Sequence, residues 1–534
     1  MKNLQILSKN EAIVSFFSVI VLYLCYFLLF DSYLNSDDDR PVSMLLAGVF
    51  QDATQNILFQ NILIGFFFKY LYSIAQWYWY DTFIVLLLFL SHWAIFYALL
   101  RLKINFWLIF SFFIYIILSQ LSYINFTTTA AYLGIAGIVL FFVYQKNKEN
   151  YYFMATFFLL VSSLIRFQST VLVIILFTPF FLYQIWLKNI DYKKYILFFG
   201  INSCLIFSLA FFDRFYPNSL DEDWQEVYEF QKVRPHIFDY DAIPFKPYED
   251  IYKKYNFSEN DLLIFRAYVF YWADPTFFTS ERLKNMLSEV DRFSIKYIRL
   301  RGVKEVPSKF FSVIASNFYY IAALLLTLSF IFSKAGVIIF SLQATLVFFL
   351  YFFLIIFFKT VGYVDYVVFS LFSIISLLTI NESKLSIKIH NLVAFCIVLS
   401  SIYHTFSTHK NLKDIQNKQE NFFESLPNDK IYLGVSFHHL YQPHLLFKPR
   451  KPKQDIFYYM IAPNYQNYIL KKYNINTICK DIVNRDDVVL IFLEANMNIQ
   501  NYYKVYMKEH YHQDIYFEKI ADRYDYQLYK IKSK

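Results

Sequence analysis

The chain has 534 residues, of which 57% are hydrophobic, 22% aromatic and 17% charged, with a net charge of +8. Its mean hydropathy is +0.35, and apolar runs recur along it at about 20 residues each, the length that crosses a hydrocarbon core of roughly 30 Å. These values exclude a disulfide scaffold, a fibrous protein, a disordered chain and a secreted enzyme with a cleaved signal. The positive charge lies mostly in short segments between apolar runs, so no nucleic-acid partner is expected.

The apolar runs predict an α-helical polytopic membrane protein with about eleven spans. Their predicted bounds are 12–31, 78–100, 105–123, 128–145, 151–166, 169–187, 195–212, 309–332, 336–357, 363–380 and 389–407. The stretch 55–75 is also apolar, but it contains Gln55, Gln60, Asn61 and Lys69. We predict that this stretch is an interfacial or re-entrant helix on the outer face.

Charge in the connections supports this interpretation of 55–75. With that stretch on the surface, one side of the membrane collects most of the basic residues, whereas the short connections on the other side hold little beyond Arg40, Arg166 and Lys359. The positive-inside rule then predicts a cytoplasmic N-terminus and an extracytoplasmic C-terminal segment, in a bacterial cytoplasmic membrane. The basic side contains Lys2, Lys9, Arg101, Lys103, Lys146, Lys148, Lys188, Lys193, Lys194, Lys334, Lys384 and Lys388.

Two parts follow from this topology. Residues 1–407 form a transmembrane domain with outer loops at 32–77 and 213–308, and residues 408–534 form an extracytoplasmic domain. The C-terminal part alternates β-like runs with helix-like stretches, which is typical of a small α/β domain. The runs are Lys430–Val435, Val488–Leu493, Asp514–Phe517 and Tyr524–Ile531.

The strongest local signal is an acidic cluster just outside the first span. Asp37, Asp38 and Asp39 are adjacent and are followed by Arg40. Adjacent carboxylates repel one another, and close to a low-dielectric boundary this raises at least one pKa unless a cation or a substrate donor is present. The cluster suits a general base or a divalent-cation site, although a solvated acidic loop is the alternative.

Arginines at the outer ends of spans are candidate phosphate ligands. Arg166 ends one predicted span and Arg214 ends another. A guanidinium at a membrane boundary is costly unless it is paired or solvated, and it binds phosphate bidentately. The alternative for both is a side chain that snorkels to the headgroups. Arg234 and Asp239 in the second outer loop are further candidates for the substrate site.

Other motifs carry weaker signals. Ser258 and Asp274 in the second outer loop predict helix starts. His438, His439 and His444 could bind a metal, but no Cys or Glu stands at a matching offset, so surface histidines are the favoured interpretation. No nucleotide-binding loop, zinc-protease motif or serine-hydrolase elbow is present in a usable context. A nucleotide-driven pump, a dehydrogenase and a serine hydrolase are therefore disfavoured.

The order of these parts resembles the GT-C class of membrane glycosyltransferases. More narrowly, the sequence resembles a group of bacterial membrane proteins that opens with an Asn-Ser-Pro-Asp-Asp-Tyr type motif. This resemblance covers roughly the first 285 residues, and Asp37 and Arg40 stand where that motif has Pro and Tyr. The residues that carry it are Asn35 to Asp39, Asn61 to Gly65, Leu71-Tyr72, Trp79-Tyr80, Arg166, Gln231 to Asp239, and Ser258 to Asp274.

The resemblance implies an inverting glycosyltransferase at the outer face of the cytoplasmic membrane. In that class an outer-loop acid deprotonates the acceptor hydroxyl, and the sugar arrives on a polyprenyl phosphate. Asp38 and Asp39 take the position of the acid, and Arg166 that of a donor-phosphate ligand, with Arg214 and Arg234 in support. The partners would be membrane lipid, a polyprenyl-phosphate-linked sugar, and a surface glycan or lipid-linked acceptor. A divalent cation is a possible cofactor.

The sequence is also compatible with three other functions. An O-antigen-type polymerase or ligase uses similar substrates, with its essential groups in a large late outer loop. A transporter or lipid flippase would carry ionisable residues within its spans and broken helices. A membrane scaffold would bind a partner through the segment after residue 407.

Overall fold

The structure is a computed structural model. It describes residues 2–34, 39–49, 53–147, 150–236, 244–266, 274, 276–290, 307–308, 334–357, 362–379, 387–434, 444–447, 455–456, 470–476, 478–493 and 498–534. Asp37, Asp38, Asp239, His438 and His439 lie outside these residues, as does the predicted span 309–332.

The described residues are mainly helical. The first helices are α1 (Lys2–Leu29), α2 (Asp39–Leu46), α3 (Ile62–Ile74), α4 (Trp79–Arg101), α5 (Phe106–Ser122), α6 (Phe126–Asn147), α7 (Tyr152–Trp186) and α8 (Tyr192–Phe215). The second outer loop contains α9 (Glu222–Val233), α10 (Glu249–Lys254), α11 (Glu259–Arg266) and α12 (Ser280–Ser288). They are followed by α13 (Lys334–Phe357), α14 (Gly362–Thr379), α15 (Ile387–Glu424), α16 (Ile478–Asp481) and α17 (Asn498–Tyr511).

Within the described residues, 6 helices are long and apolar enough to cross a membrane. Three shorter apolar helices, Ile62–Ile74, Phe106–Ser122 and Val364–Thr379, accompany them. Helix α6 is the centre of this bundle, because every residue from Phe126 to Val143 is buried. A helix that is apolar and covered on all sides belongs to the interior of a bundle. The total of eleven spans stays a prediction.

Helix α7 spans 35 residues but folds back on itself at Arg166, which has the extended angles φ −156° and ψ 98°. The hydroxyls of Ser162 and Thr170 are 2.7 Å apart, whereas residues at this spacing in a straight helix are about 12 Å apart. A Cβ at Gly134 of α6 would lie 3.2 Å from Ser162 Oγ and 3.5 Å from Val173. Arg166 is therefore the turn of a helical hairpin.

The two halves of this hairpin follow α6 in opposite directions. A Cβ at Gly137 would lie 2.7 Å from the Ala155 carbonyl, in the first half. The ring of Phe142 lies 5.1 Å from that of Phe180, in the second half. The structure thus contains the predicted break between the apolar runs 151–166 and 169–187, and it puts Arg166 at the turn.

The predicted interfacial stretch begins and ends at the same end of the bundle. Asn61 N–H donates to the Leu164 carbonyl at 2.8 Å, beside the turn of α7. Trp79 begins α4 after the stretch, and the next residue, Tyr80, contacts Asp39. Helix α3 between them has 13 residues, about 20 Å, too short to cross a bilayer.

The opposite end of the bundle is basic. Arg101 forms a 2.6 Å ion pair with Glu11, and Asn147 Nδ2 donates to the Arg101 carbonyl at 3.3 Å. The connections that contain Lys103 and Lys188 follow the helices that end there. Of the predicted cytoplasmic residues, Arg101, Lys103 and Lys188 thus share one end of the bundle. Which end faces the cytoplasm stays a prediction.

The C-terminal segment contains a strand at each of the four predicted runs; the strand predicted at Asp514–Phe517 continues to Arg523, and the other ends differ by at most two residues. The strands are β3 (Ile431–Gly434), β5 (Asp455–Ile456), β6 (Val488–Leu493), β7 (Ile515–Arg523) and β8 (Tyr526–Ser533). They form a five-stranded sheet of order β5-β3-β6-β8-β7, in which β3 is parallel to β5 and β6, and β8 is antiparallel to β6 and β7. Strands β1 (Tyr33–Leu34), β2 (Tyr123–Ile124) and β4 (His444–Leu445) form a separate small sheet.

The loop and the C-terminal segment share one apolar core, which also takes in residues of the first outer loop. We call this assembly the outer domain, after the side of the membrane that the sequence predicts for it. Its core includes Met44, Leu58, Trp224, Phe265, Tyr432 and Phe492. The three predicted outer parts are therefore packed together.

Helix starts in the outer loop follow local polar signals. Ser258 and Asp261 form a capping box, since Ser258 Oγ accepts Asp261 N–H at 3.1 Å and Asp261 Oδ2 accepts Ser258 N–H at 2.8 Å. The predicted role of Ser258 is confirmed. The prediction for Asp274 needs correction: it caps a turn by accepting Phe277 N–H at 3.2 Å. The following helix α12 starts at Ser280 and is capped by Thr279.

Candidate functional site

The candidate site is built around the buried N-terminus of α6. The first amide groups of a helix have no partner within the helix and need acceptors when they are buried. The Asn125 side chain accepts Thr127 N–H at 2.6 Å. The next acceptor is Asp39, which receives Phe126 N–H at 3.0 Å and 3.2 Å on its two oxygens. Asp39 thus places a carboxylate at the positive end of the α6 dipole.

Asp39 is completely buried, with 0% of its surface exposed. Besides the Phe126 amide, it accepts the Tyr80 hydroxyl at 2.8 Å. Tyr80 in turn accepts Gln60 Nε2 at 2.9 Å. Asp39 therefore joins the first outer loop, the start of α4 and the start of α6. Because Asp39 is completely buried and accepts two hydrogen-bond donors of the protein, it suits an anchor better than a general base.

Arg166 lies at the hairpin turn beside the same helix N-terminus. Its Nη1 donates to the Phe59 carbonyl at 3.0 Å. Its guanidinium carbon lies 5.6 Å from the centre of the Phe126 ring and 5.7 Å from that of Phe59. Within the described part of the chain, Arg166 has no carboxylate partner, so most of its five N–H donors are available for a ligand.

In the structure, Asp39 and Arg166 both contact Phe126. Asp39 holds the Phe126 amide, and Arg166 lies against the Phe126 ring. Phe59 and Gln60 link the two residues again. Arg166 donates to the Phe59 carbonyl, and Gln60 donates to Tyr80, the residue that binds Asp39. Two candidates that are far apart in sequence thus belong to one site.

Arg214 lies on an adjoining segment. The preceding residue, Asp213, accepts Ile62 N–H at 2.8 Å and so fixes the end of α8 against the start of α3. Arg214 itself is exposed. Nearby, Tyr228 donates to the Ile57 carbonyl at 2.7 Å. Burial, with a smaller effect from Asp213, raises the pKa of Tyr228 far above its usual value and keeps it a donor.

Arg234 and Arg40 occupy other surroundings. Arg234 is half-buried in a short 3₁₀ helix, Arg234–His236, after α9 in the outer domain. No described contact joins it to Asp39 or Arg166. Arg40 follows Asp39 in α2 and is half-buried.

The C-terminal segment contributes a strand at this end of the bundle. Strand β1 (Tyr33–Leu34) pairs in parallel with β2 (Tyr123–Ile124) and antiparallel with β4 (His444–Leu445), with Leu34 opposite His444. Leu446 N–H donates to the Ser32 carbonyl at 3.0 Å. These contacts fix the strand that leads into the acidic cluster.

A second contact ties the same C-terminal strand to α4. Phe447 N–H donates to Asp81 Oδ2 at 2.9 Å, and its ring lies 6.1 Å from that of Tyr78. Asp81 follows Tyr80, the residue that holds Asp39. Sequence patterns alone assigned no role to Asp81 or Gln60, although an acid at the start of an apolar helix is a signal for such a contact.

Polar side chains also lie inside the bundle. His92 is completely buried, its Nδ1 lies 2.9 Å from the Tyr23 hydroxyl, and its Nε2 has no hydrogen-bond partner in the described residues. Asp365 is buried and accepts a hydrogen bond from Tyr351. Both are ionisable residues within predicted spans, His92 in 78–100 and Asp365 near the start of 363–380.

Comparison with known proteins gives little further support. No protein-family model and no curated protein matches the sequence. The chain is similar to the crystal structure of ArnT from Cupriavidus metallidurans bound to undecaprenyl phosphate, with 10% identity, a TM-score of 0.35, and coverage of 99% of this chain and 98% of that chain. At these values the likeness decides neither the fold nor the activity of this chain.

Proposed function

We propose that the protein is a GT-C-type glycosyltransferase that moves a sugar from a polyprenyl-phosphate donor to a surface glycan or a lipid-linked acceptor. The observation that carries the proposal is Arg166, whose guanidinium has one described hydrogen bond and lies beside the N-terminus of a buried helix. A helix N-terminus and an arginine together favour a phosphate. The site's position at a bundle end suits a lipid-linked substrate.

We further propose that two acids of the cluster have different roles, one as an anchor and one as the general base. Asp39 is occupied by the Phe126 amide and the Tyr80 hydroxyl, so it anchors the acidic loop. Asp38 precedes it directly and is the proposed general base, with Asp37 beside it in the substrate loop. A base must lie within reach of the acceptor hydroxyl, whereas Asp39 is completely buried.

The proposed reaction is a single displacement at the anomeric carbon. The acceptor oxygen attacks that carbon as the bond to the phosphate oxygen breaks, and the departing polyprenyl phosphate keeps the electron pair. The acceptor proton passes to Asp38. Arg166 stabilises the charge that grows on the phosphate, which is an electrostatic contribution that needs no nucleotide. Attack from the opposite face inverts the anomeric configuration.

We propose supporting roles for three further residues and a cation. Arg214 is exposed at the end of α8 and could meet a phosphate at the membrane surface. Arg234 and Asp239 belong to the outer loop and are proposed to meet the sugar or the acceptor. A divalent cation at Asp37 and Asp38 is compatible with the proposal, since hard cations prefer carboxylate ligands. The site is proposed to face outward, with the basic end in the cytoplasm.

The test compares surface glycans by mass spectrometry in four strains. They are the wild type, a deletion, and deletions complemented with Asp38→Asn or Asp250→Asn. Asp250 is an exposed acid of the outer loop and serves as the matched control. We expect the deletion and Asp38→Asn strains to lack the same sugar unit, and Asp250→Asn to restore it at equal protein levels.

Restoration of the sugar by Asp38→Asn would contradict the assigned base. A deletion with an unchanged glycan, under conditions where the protein is made, would contradict the glycan function itself. An O-antigen-type polymerase or ligase predicts a change in chain length instead of the loss of one sugar.

A transport function is the second candidate, and it is favoured by His92 and Asp365 inside the bundle. Buried ionisable groups within spans mark transport pathways in many membrane proteins. Transport predicts that His92→Phe abolishes function while Asp38→Asn preserves it. The proposed transferase predicts the reverse pattern.

A further inference from the structure

The outer domain contains a cluster of metal-ligating groups at the contact between α11 and α17. Asp261 comes from α11, and Glu509 and His510 come from α17. One ligand atom from each residue lies within 4.8 Å of the others. The cluster is separate from Asp39 and Arg166, and it bridges the second outer loop and the C-terminal segment.

The three groups are held in place by their neighbours. Asp261 is 0% exposed, and its Oδ1 lies 2.8 Å from His510 Nε2. The His510 ring lies 4.4 Å from the Phe277 ring and 4.4 Å from the Tyr506 ring, so its orientation is restricted. Glu509 is exposed and accepts the Ser258 hydroxyl at 2.8 Å, at the mouth of the cluster.

The spacing suits one transition-metal ion. Zinc binds imidazole nitrogen and carboxylate oxygen at about 2.0–2.2 Å, so the atoms around one ion lie roughly 3–4 Å apart. The cluster needs only small side-chain shifts to reach that spacing. One imidazole and two carboxylates also suit zinc better than calcium or magnesium, which prefer all-oxygen sites.

We propose that Asp261, Glu509 and His510 bind one zinc ion that clamps the outer loop to the C-terminal segment. Water would complete the four-coordinate site. The clamp does not depend on the proposed transferase activity, since it rests on a different part of the molecule. Asp261 Oδ2 keeps its bond to Ser258 N–H and orients the ligating oxygen.

The test measures zinc bound to the purified full-length chain in detergent, after loading with zinc and desalting. The variants are Glu509→Gln and His510→Gln, with Glu518→Gln as the control. Glu518 is an exposed acid on β7, outside the cluster. His510→Gln keeps an N–H donor for Asp261, so it separates metal binding from the direct hydrogen bond.

We expect the wild type and Glu518→Gln to retain about one zinc per chain and both cluster variants to bind at least about 10-fold more weakly. A chelator should lower the unfolding temperature of the wild type and leave His510→Gln unchanged. Equal zinc binding by all four proteins would overturn the proposal by assigning the metal to another site. Absence of bound zinc in the wild type would also overturn it and leave a direct hydrogen bond between Asp261 and His510.

Discussion

Two buried aspartates make similar contacts in two regions of the molecule. Asp39 at the bundle end accepts a tyrosine hydroxyl at 2.8 Å and a backbone amide at 3.0 Å. Asp274 in the outer domain accepts the hydroxyls of Tyr506 at 2.7 Å and Tyr511 at 2.6 Å. Burial raises the pKa of both tyrosines well above the usual value, so they remain donors.

The difference lies in what surrounds each anchor. Asp274 lies among side chains of the outer domain that join the loop to α17. Asp39 lies at a helix N-terminus, and the ring of the same Phe126 touches Arg166. Burial with satisfied hydrogen bonds identifies an anchor in both regions. A candidate catalytic site needs, in addition, groups that are still able to bind a substrate.

The largest expected effect on folding comes from removing either anchor. Asp39→Ala leaves the Phe126 amide and the Tyr80 hydroxyl without their acceptor, and Asp274→Ala does the same to two tyrosines. Each buried donor left unsatisfied costs about 1–3 kcal/mol. We expect both variants to unfold several degrees below the wild type in detergent, while Asp250→Ala unfolds normally. A normal unfolding temperature for Asp39→Ala would contradict its role as an anchor.

Substitution of Arg166 should weaken binding of the lipid-linked sugar donor more than it destabilises the fold. We expect Arg166→Gln to raise the KM for the lipid-linked donor about 10–100-fold, because hydrogen bonds to charged groups contribute about 1.5–3 kcal/mol. It should also lower kcat, because the charge that grows on the phosphate loses its partner. The KM of Arg166→Lys should lie between those of the wild type and Arg166→Gln, since lysine keeps the charge but lacks the planar guanidinium that binds phosphate through two parallel hydrogen bonds. Lys253→Gln, at an exposed pair in the outer loop, is the control. An unchanged donor KM in Arg166→Gln would exclude phosphate binding there.

Tyr80→Phe tests the anchor with a smaller change. It removes one hydrogen bond to Asp39 and the acceptor of Gln60, which should cost about 1–2 kcal/mol. The unfolding temperature should fall by less than in Asp39→Ala. Tyr70→Phe is the control, because Tyr70 is 67% exposed on α3. Equal unfolding temperatures for the two tyrosine variants would show that the hydrogen bond from Tyr80 to Asp39 does not stabilise the fold.

The smallest effect is expected at Asp486 on the surface of the outer domain. Hydrogen bonds from Lys530 and Lys532 lower its pKa to about 2. Its stabilising contribution is therefore present above the ordinary carboxyl pKa of about 3.9 and is lost as the pH falls toward about 2. Asp486→Asn should lower the unfolding temperature slightly at pH 6 and less at pH 3. High salt should reduce the difference further.

An effect of Asp486→Asn that grows as the pH falls would contradict this direction. It would indicate that folding raises the pKa of Asp486 and does not lower it.

Short-range features were predictable from the sequence. The apolar runs gave the hairpin at Arg166, alternation gave the strands β3, β6, β7 and β8, and Ser258 gave a helix cap. Each of these depends on residues that are close in the chain. Charge in the connections also separated the basic end of the bundle from the end with the candidate site.

Long-range contacts were not predictable from one sequence. Leu34 pairs with His444, and Asp81 holds the Phe447 amide, although hundreds of residues separate the partners. A two-residue strand has too short a pattern to reveal its partner. The roles of Tyr80 and Gln60 were hidden for the same reason, because a buried hydroxyl or amide is recognised only by the group that it binds.

The most direct test of the central claim compares Asp38→Asn with Asp39→Asn in one preparation, by measuring the unfolding temperature and the rate of sugar transfer. The account predicts that Asp38→Asn unfolds like the wild type and loses about 10²- to 10⁴-fold in rate, as expected for a general base. Asp39→Asn should unfold at a lower temperature. Full transfer activity in a folded Asp38→Asn variant would contradict the account.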